Sequence, residues 1–182
     1  VSPHWNTNTI LLLSLSKMGL PGVRTGFIVA SEEVIQAYAT ANTILNLACG
    51  NVGPAIASKL FEDREVFELS NKVIMPFYRD KAFSTMDKFI HAMDDLPFYV
   101  HKPEGAIFLW LWFKDLPVSS ARLYEILKEA GVLIIPGDDS FAGLDQDWAH
   151  AHECIRVSYA QDDEQVTKGV EIIAREVRKL YK

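Results

Sequence analysis

Apolar residues along this chain fall into two kinds of run, and their spacing predicts the elements. Thr9-Ile10-Leu11-Leu12-Leu13 and Phe27-Ile28-Val29-Ala30 are continuous rather than alternating, the pattern of strands covered on both faces. Ser31-Glu32-Glu33 then opens a helix, with Ser31 as its cap and two acids suited to the positive end of the helix dipole; it runs to about Asn42. Leu47 to Pro54 is a break containing glycines and a proline, followed by a second helix from about Ala55 to Glu62. From Glu65 to about Met93, residues Val66, Leu69, Val73, Phe77, Met86, Phe89, Ile90 and Met93 recur mostly at three- and four-residue intervals. That spacing predicts a long amphipathic helix, kinked at Pro76.

The remainder reads β-β-α-β-β-α. Phe98–His101 is a short strand, and the unbroken apolar run Ala106–Phe113 predicts a strand buried on both faces. Ser119 caps a helix to Ala130, which Gly131 ends in the position where a left-handed residue is favoured. Val132–Ile135 is a further strand, stopped by Pro136-Gly137. A polar loop with Trp148, His150 and His152 leads to the strand Cys154–Tyr159. The last helix runs from about Asp162 to Tyr181, acidic early and basic late. Helices alternating with strands place the chain in the α/β class. The long helix predicts a connector between two domains, with the boundary near residue 70.

Composition narrows the classes. Of 182 residues, 49% are hydrophobic and 23% charged, enough apolar content for a packed core. A net charge of −6 with no basic stripe argues against nucleic acid or an anionic membrane as partner. The apolar run at 106–113 is far shorter than a membrane span. The start, Val-Ser-Pro-His-Trp-Asn, has neither a basic stretch nor an apolar leader core, and Val1 in place of Met predicts a truncated sequence. Two cysteines, Cys49 and Cys154, make no disulfide framework; they fit a reducing, cytoplasmic setting and read as small buried hydrophobes.

The chemistry concentrates in two places. Between the first two strands lies Ser14-Leu15-Ser16-Lys17-Met18-Gly19-Leu20-Pro21-Gly22-Val23-Arg24-Thr25-Gly26. Hydroxyl, amide and guanidinium donors at strand ends suit a phosphate, although a solvated loop is the plainer alternative. The second is Arg156, in mid-strand. Alternation puts Ile155, Val157 and Tyr159 on one face and Cys154, Arg156 and Ser158 on the other. Small neighbours leave a guanidinium room to bind a carboxylate with two N–H groups, or to pair with a core acid. His150-x-His152-x-Cys154 lacks zinc-site spacing and is not taken as a metal site, and Asp138-Asp139 reads as a solvated turn.

Ser-x-Ser-Lys followed by Gly-x-Arg-x-Gly resembles the signature of the fold-type I pyridoxal-phosphate enzymes, the aminotransferase superfamily. Together with Lys102-Pro103-Glu104-Gly105-Ala106-Ile107-Phe108-Leu109-Trp110-Leu111-Trp112-Phe113, it is similar to the valine–pyruvate branch. The resemblance implies that Lys17 binds the cofactor as a Schiff base and acts as the catalytic lysine. Ser14, Ser16 and Arg24 would then grip its phosphate, and Arg156 would bind the substrate α-carboxylate. Arg24 follows Lys17 by one residue fewer than in many members, predicting a tighter loop. The resemblance covers only the C-terminal half of such an enzyme. Residues 1–70 would be the end of the large cofactor-binding domain, and 71–182 the connecting helix with a small α+β domain. The family's pyridine-binding aspartate, stacking aromatic and glycine-rich phosphate turn precede the lysine, and only sixteen residues do so here.

The implied activity is amino-group transfer from an amino acid, valine, to the 2-oxo acid pyruvate, in a cytoplasmic homodimer, with this piece inactive alone. A carbon–sulfur lyase or decarboxylase on the same fold, or the aminotransferase-like sensing domain of a transcription regulator, are the alternatives.

Overall fold

The computed structural model describes residues 5–48, 50–144 and 146–182, arranged as two compact units, Val1–Met75 and Pro76–Lys182. The residues behind the leader reading (Val1–His4) and the core-thiol reading of Cys49 lie outside the described residues. No helix among the described residues is long and apolar enough to cross a membrane.

The first unit holds strands β1 (Leu11–Ser14) and β2 (Gly26–Val29), paired antiparallel with Leu11 opposite Val29 and Ser14 opposite Gly26. Helices α1 (Glu32–Asn46), α2 (Val52–Glu62) and α3 (Glu65–Leu69) follow. The expectation of two buried strands is corrected: Leu12 is 69% exposed, and Leu13 and Val29 are also open. The described residues give this ribbon only partial cover, where α2 sets Phe61 edge-on to Phe27 with centroids 5.1 Å apart. Helix α1 runs a turn beyond its expected end, and Ser31 sits at its cap position without a side-chain cap bond. Helix α2 starts at Val52 rather than Ala55. Pro54 is tolerated in its first turn, where no N–H is needed.

The long helix is interrupted. After α3 the backbone widens into a π turn over Ser70–Ile74 before α4 (Met75–Ala92). Pro76 has no N–H for the Lys72 carbonyl and its ring crowds that turn, so the predicted kink takes the form of a π bulge.

The second unit is a four-stranded antiparallel sheet in the order β3 (Phe98–Val100), β4 (Phe108–Phe113), β6 (Cys154–Ser158), β5 (Ile135–Pro136). One face carries Leu109, Leu111, Phe113, Ile155 and Val157 into a core completed by α4, α5 (Ser120–Glu129) and α7 (Asp163–Leu180), through Phe89, Leu123, Leu127, Val170, Ile173 and Val177. The strand expected to be buried on both faces is therefore buried on one: Phe108, Trp110 and Trp112 face the other way and are only partly covered. Ser119 caps α5 by accepting from the Arg122 N–H, and Gly131 takes φ +90° just past its end. Asp162 caps α7 from its side chain. Strand β5 is shorter than predicted, since only Ile135 and Pro136 pair with β6.

Asp138 is not a solvated turn residue. In the single helical turn Gly137–Ser140 its carboxylate accepts from the Ser120 hydroxyl at the start of α5 and meets Nδ1 of His152 in α6 (Ala149–His152). Nε2 of His152 lies 2.8 Å from Asp147. Burial pushes the Asp138 carboxyl up, but the bonds from Ser120 and His152 outweigh it and hold the group below the usual range. The Asp138 contact, then that of Asp147, raises His152 above the usual imidazole value. A raised histidine stabilises the fold below its unfolded pKa and loses that contribution as pH rises through the folded one. A lowered carboxylate loses its contribution as pH falls. His152→Gln should therefore be most destabilising between about pH 4 and pH 6.5, where both charges are present, with the gap closing above neutrality. Urea unfolding of wild type and variant across pH measures this; a gap independent of pH contradicts the ion pair.

Candidate cofactor- and substrate-binding residues

The loop between β1 and β2 is built around Leu15, which is fully buried. Its N–H donates to the Thr25 carbonyl at 3.0 Å, and its own carbonyl accepts from the N–H groups of Met18 and Leu20, each at 3.0 Å. One residue thereby closes both ends of the loop and winds Leu15–Lys17 into a helical turn that ends at Lys17, whose side chain is exposed.

Around that turn the predicted polar residues come together. Ser14 caps it, its hydroxyl oxygen accepting from the Ser16 N–H at 3.2 Å. The Arg24 guanidinium donates to the Ser16 hydroxyl at 3.3 Å and to the Pro21 carbonyl at 3.4 Å. Arg24 reaches back because its backbone is left-handed, with φ 49°. Each serine oxygen accepts from the protein and so keeps its own O–H to donate outward. Two hydroxyls and a guanidinium offering donors in one small turn are the complement of a phosphate.

Helix α2 supports this loop at Gly53. A Cβ there would run into the Thr25 hydroxyl and lie 2.7 Å from the Val23 carbonyl, so only glycine allows the helix start to sit against the Val23–Thr25 segment.

In the second unit Arg156 lies in the middle of β6, opposite Trp110 of β4 and Ile135 of β5. Its own-strand neighbours are small, as expected, but the cross-strand ones are large. The guanidinium carbon sits 4.4 Å from the centroid of the Phe108 ring. The buried Nε has no hydrogen-bond partner among the described residues, so that donor is not consumed by a core acid there. That favours a ligand over a structural salt bridge, because buried N–H groups are ordinarily paired. On the side of β3 and β4 that carries Trp110 and Trp112 opens a cavity of about 570 Å³ lined by Tyr99, His101, Trp110, Trp112, Phe141 and His150. Cys154 is buried, with its thiol pushed up to about 11 by burial, and His150 Nε2 lies 3.4 Å from it. His152 instead faces Asp138 and Asp147, so the two histidines serve different neighbours.

The model for aminotransferase class I and II matches residues 1–173. The chain belongs to that family. It is 44% identical to valine–pyruvate aminotransferase of Escherichia coli (strain K12) over 98% of its own length and 43% of that protein's. The crystal structure of a putative amino-acid aminotransferase from Psychrobacter arcticum 273-4 superposes with a TM-score of 0.91 at 49% identity, covering 99% of this chain and 41% of that one. A third relative is the α-aminoadipate aminotransferase LysN of Thermus thermophilus, solved with N-(5'-phosphopyridoxyl)-L-leucine. It matches at TM-score 0.72 and 28% identity, over 94% of this chain and 42% of that one. The chain thus spans less than half the length of each of these relatives.

The roles of two residues here carry no signal of their own in the sequence. Leu15 stands between two serines with no periodic pattern around it, and Phe108 is one of several aromatics in a single apolar run. Gly53→Ala should destabilise this family member by about 1–3 kcal/mol through overpacking against Val23 and Thr25, read from urea unfolding of the full-length protein. Wild-type stability in that variant contradicts the close approach.

Proposed function

We propose that this chain forms part of a pyridoxal-phosphate-dependent aminotransferase that moves an amino group from an amino acid, valine, to a 2-oxo acid, pyruvate. The observation that carries the reading is the donor set Ser14, Ser16 and Arg24 gathered around the turn that ends at Lys17, in a chain of this family. Residues 1–70 belong to the large domain and 71–182 to the connecting helix and small domain, and the enzyme works as a homodimer.

Ser14, Ser16 and Arg24 hold the cofactor phosphate, and Lys17 is the covalent attachment point. When bound, pyridoxal phosphate supplies an electron sink for the pair released as a substrate Cα–H bond breaks. Once the incoming amino group has displaced it, the Lys17 amine would take the proton from Cα and pass it to the cofactor carbon that Lys17 had occupied, and in the reverse half-reaction it would carry a proton from that carbon to Cα of the product amino acid. Arg156 binds the substrate α-carboxylate, for which its buried Nε, unpartnered among the described residues, is a ready donor. The cavity bounded by β3 and β4 sets Tyr99, Trp110, Trp112 and Phe141 beside His101 and His150, and its largely aromatic walls support an apolar amino-acid side chain.

In the full-length protein, Lys17→Ala should abolish both the visible absorption of the bound cofactor and alanine formation from valine and pyruvate. Arg156→Leu should keep the cofactor absorption and raise the amino-acid KM about tenfold to a hundredfold, the cost of one or two charge-assisted hydrogen bonds. Activity surviving in the lysine variant overturns the assignment of Lys17, and an unchanged KM overturns that of Arg156.

A further inference from the structure

We infer that Phe108 is a positioning residue for Arg156: its ring is the platform that fixes how the guanidinium meets a carboxylate. The inference rests on the reading of Arg156 as the carboxylate-binding group.

The contact arises from the register of β4 and β6. Phe108 lies opposite Ser158 and Trp110 opposite Arg156, so Phe108 is the diagonal neighbour of Arg156 on the same face of the sheet. The guanidinium carbon is 4.4 Å from the ring centroid, well inside the range of about 6 Å over which a ring face attracts a cation. An arginine head is flat, with its N–H groups around the rim. Packing one face on a ring therefore leaves the rim for ligands. Nε is buried without a protein partner among the described residues, so no hydrogen bond from that nitrogen to them holds the head in place. The ring supplies the constraint instead.

The platform is itself firmly placed. Ala106 adopts φ 61°, a left-handed conformation unusual for a residue with a Cβ. Such a conformation persists where the surroundings over-determine it, and here they do. The Ala106 carbonyl accepts from the hydroxyl of the buried Tyr159 at 2.8 Å. The Ile107 carbonyl accepts from the Tyr159 N–H at 3.2 Å and from the Ser158 hydroxyl at 3.4 Å. The residues just before Phe108 are thus tied to the residues just after Arg156. Two strand ends and one strained residue are spent on holding this ring beside this cation.

The test compares Phe108→Leu, which keeps apolar bulk without a π face, with Phe108→Tyr, which keeps the face, in the holoenzyme. Phe108→Leu should raise the amino-acid KM about threefold to thirtyfold, the range a cation–π contact spans, with kcat within about twofold and cofactor absorption unchanged. Phe108→Tyr should recover most of the lost affinity. In an Arg156→Leu background, Phe108→Leu should leave KM where Arg156→Leu put it. A wild-type KM in Phe108→Leu, equal losses in the two Phe108 variants, or an additional KM loss in the double variant overturns the positioning role. A role in core packing alone would lower the melting temperature without the KM shift or the recovery by tyrosine. If Arg156→Leu alone leaves KM unchanged, the underlying reading of Arg156 fails, and that result is separable from a failure at Phe108.

Discussion

The first unit depends on one leucine, the only fully buried residue of a loop rich in hydroxyls and glycines. Leu15 is fully enclosed, while Ser14 beside it is exposed and Ser16 half-buried. Burying its side chain favours a single placement of the loop by about 1.5–3 kcal/mol. Its three backbone bonds then convert that placement into a shape, clamping the far strand at Thr25 and winding the turn through Lys17. A loop with this many hydroxyls and glycines would otherwise sample many conformations at a high entropic cost to any ligand. Anchored by Leu15, with Gly53 allowing α2 to close over Val23 and Thr25, it presents Ser14, Ser16 and Arg24 together before a ligand arrives.

The second unit divides the labour between the two faces of one sheet. The inner face is ordinary core, and its helices hold β4 and β6 rigid. The outer face keeps the aromatics Phe108, Trp110 and Trp112 and the cation Arg156, none of them fully buried. A charged head on a covered face would need a protein counter-ion, at a desolvation cost that pairing often fails to recover. Here it rests on a ring instead, with its Nε unpartnered among the described residues.

Much of this was legible beforehand, and what was not has identifiable causes. Period-two alternation put Arg156 on the face away from Ile155 and Val157, because strand geometry is local. The platform under it was not legible, since it depends on which residue of β4 lies diagonally across, and register between distant segments is not written in either segment alone. The ribbon of β1 and β2 misled in the opposite way: continuous apolarity describes the cover a strand is suited to, whereas the described residues cover only part of it. Pro76 marked a disturbance correctly, but a proline interior to a helix can kink it or widen it, and the outcome here was a π turn. Asp138 looked solvated because its partners, Ser120 and His152, lie eighteen and fourteen residues away.

Everything proposed for the reaction turns on Lys17 carrying the cofactor. Borohydride reduction of the full-length protein, followed by proteolysis and mass spectrometry, locates the attachment directly. A reduced pyridoxyl group on the peptide containing Lys17 is the expected result. Its appearance on another lysine, or on none, contradicts the assignment.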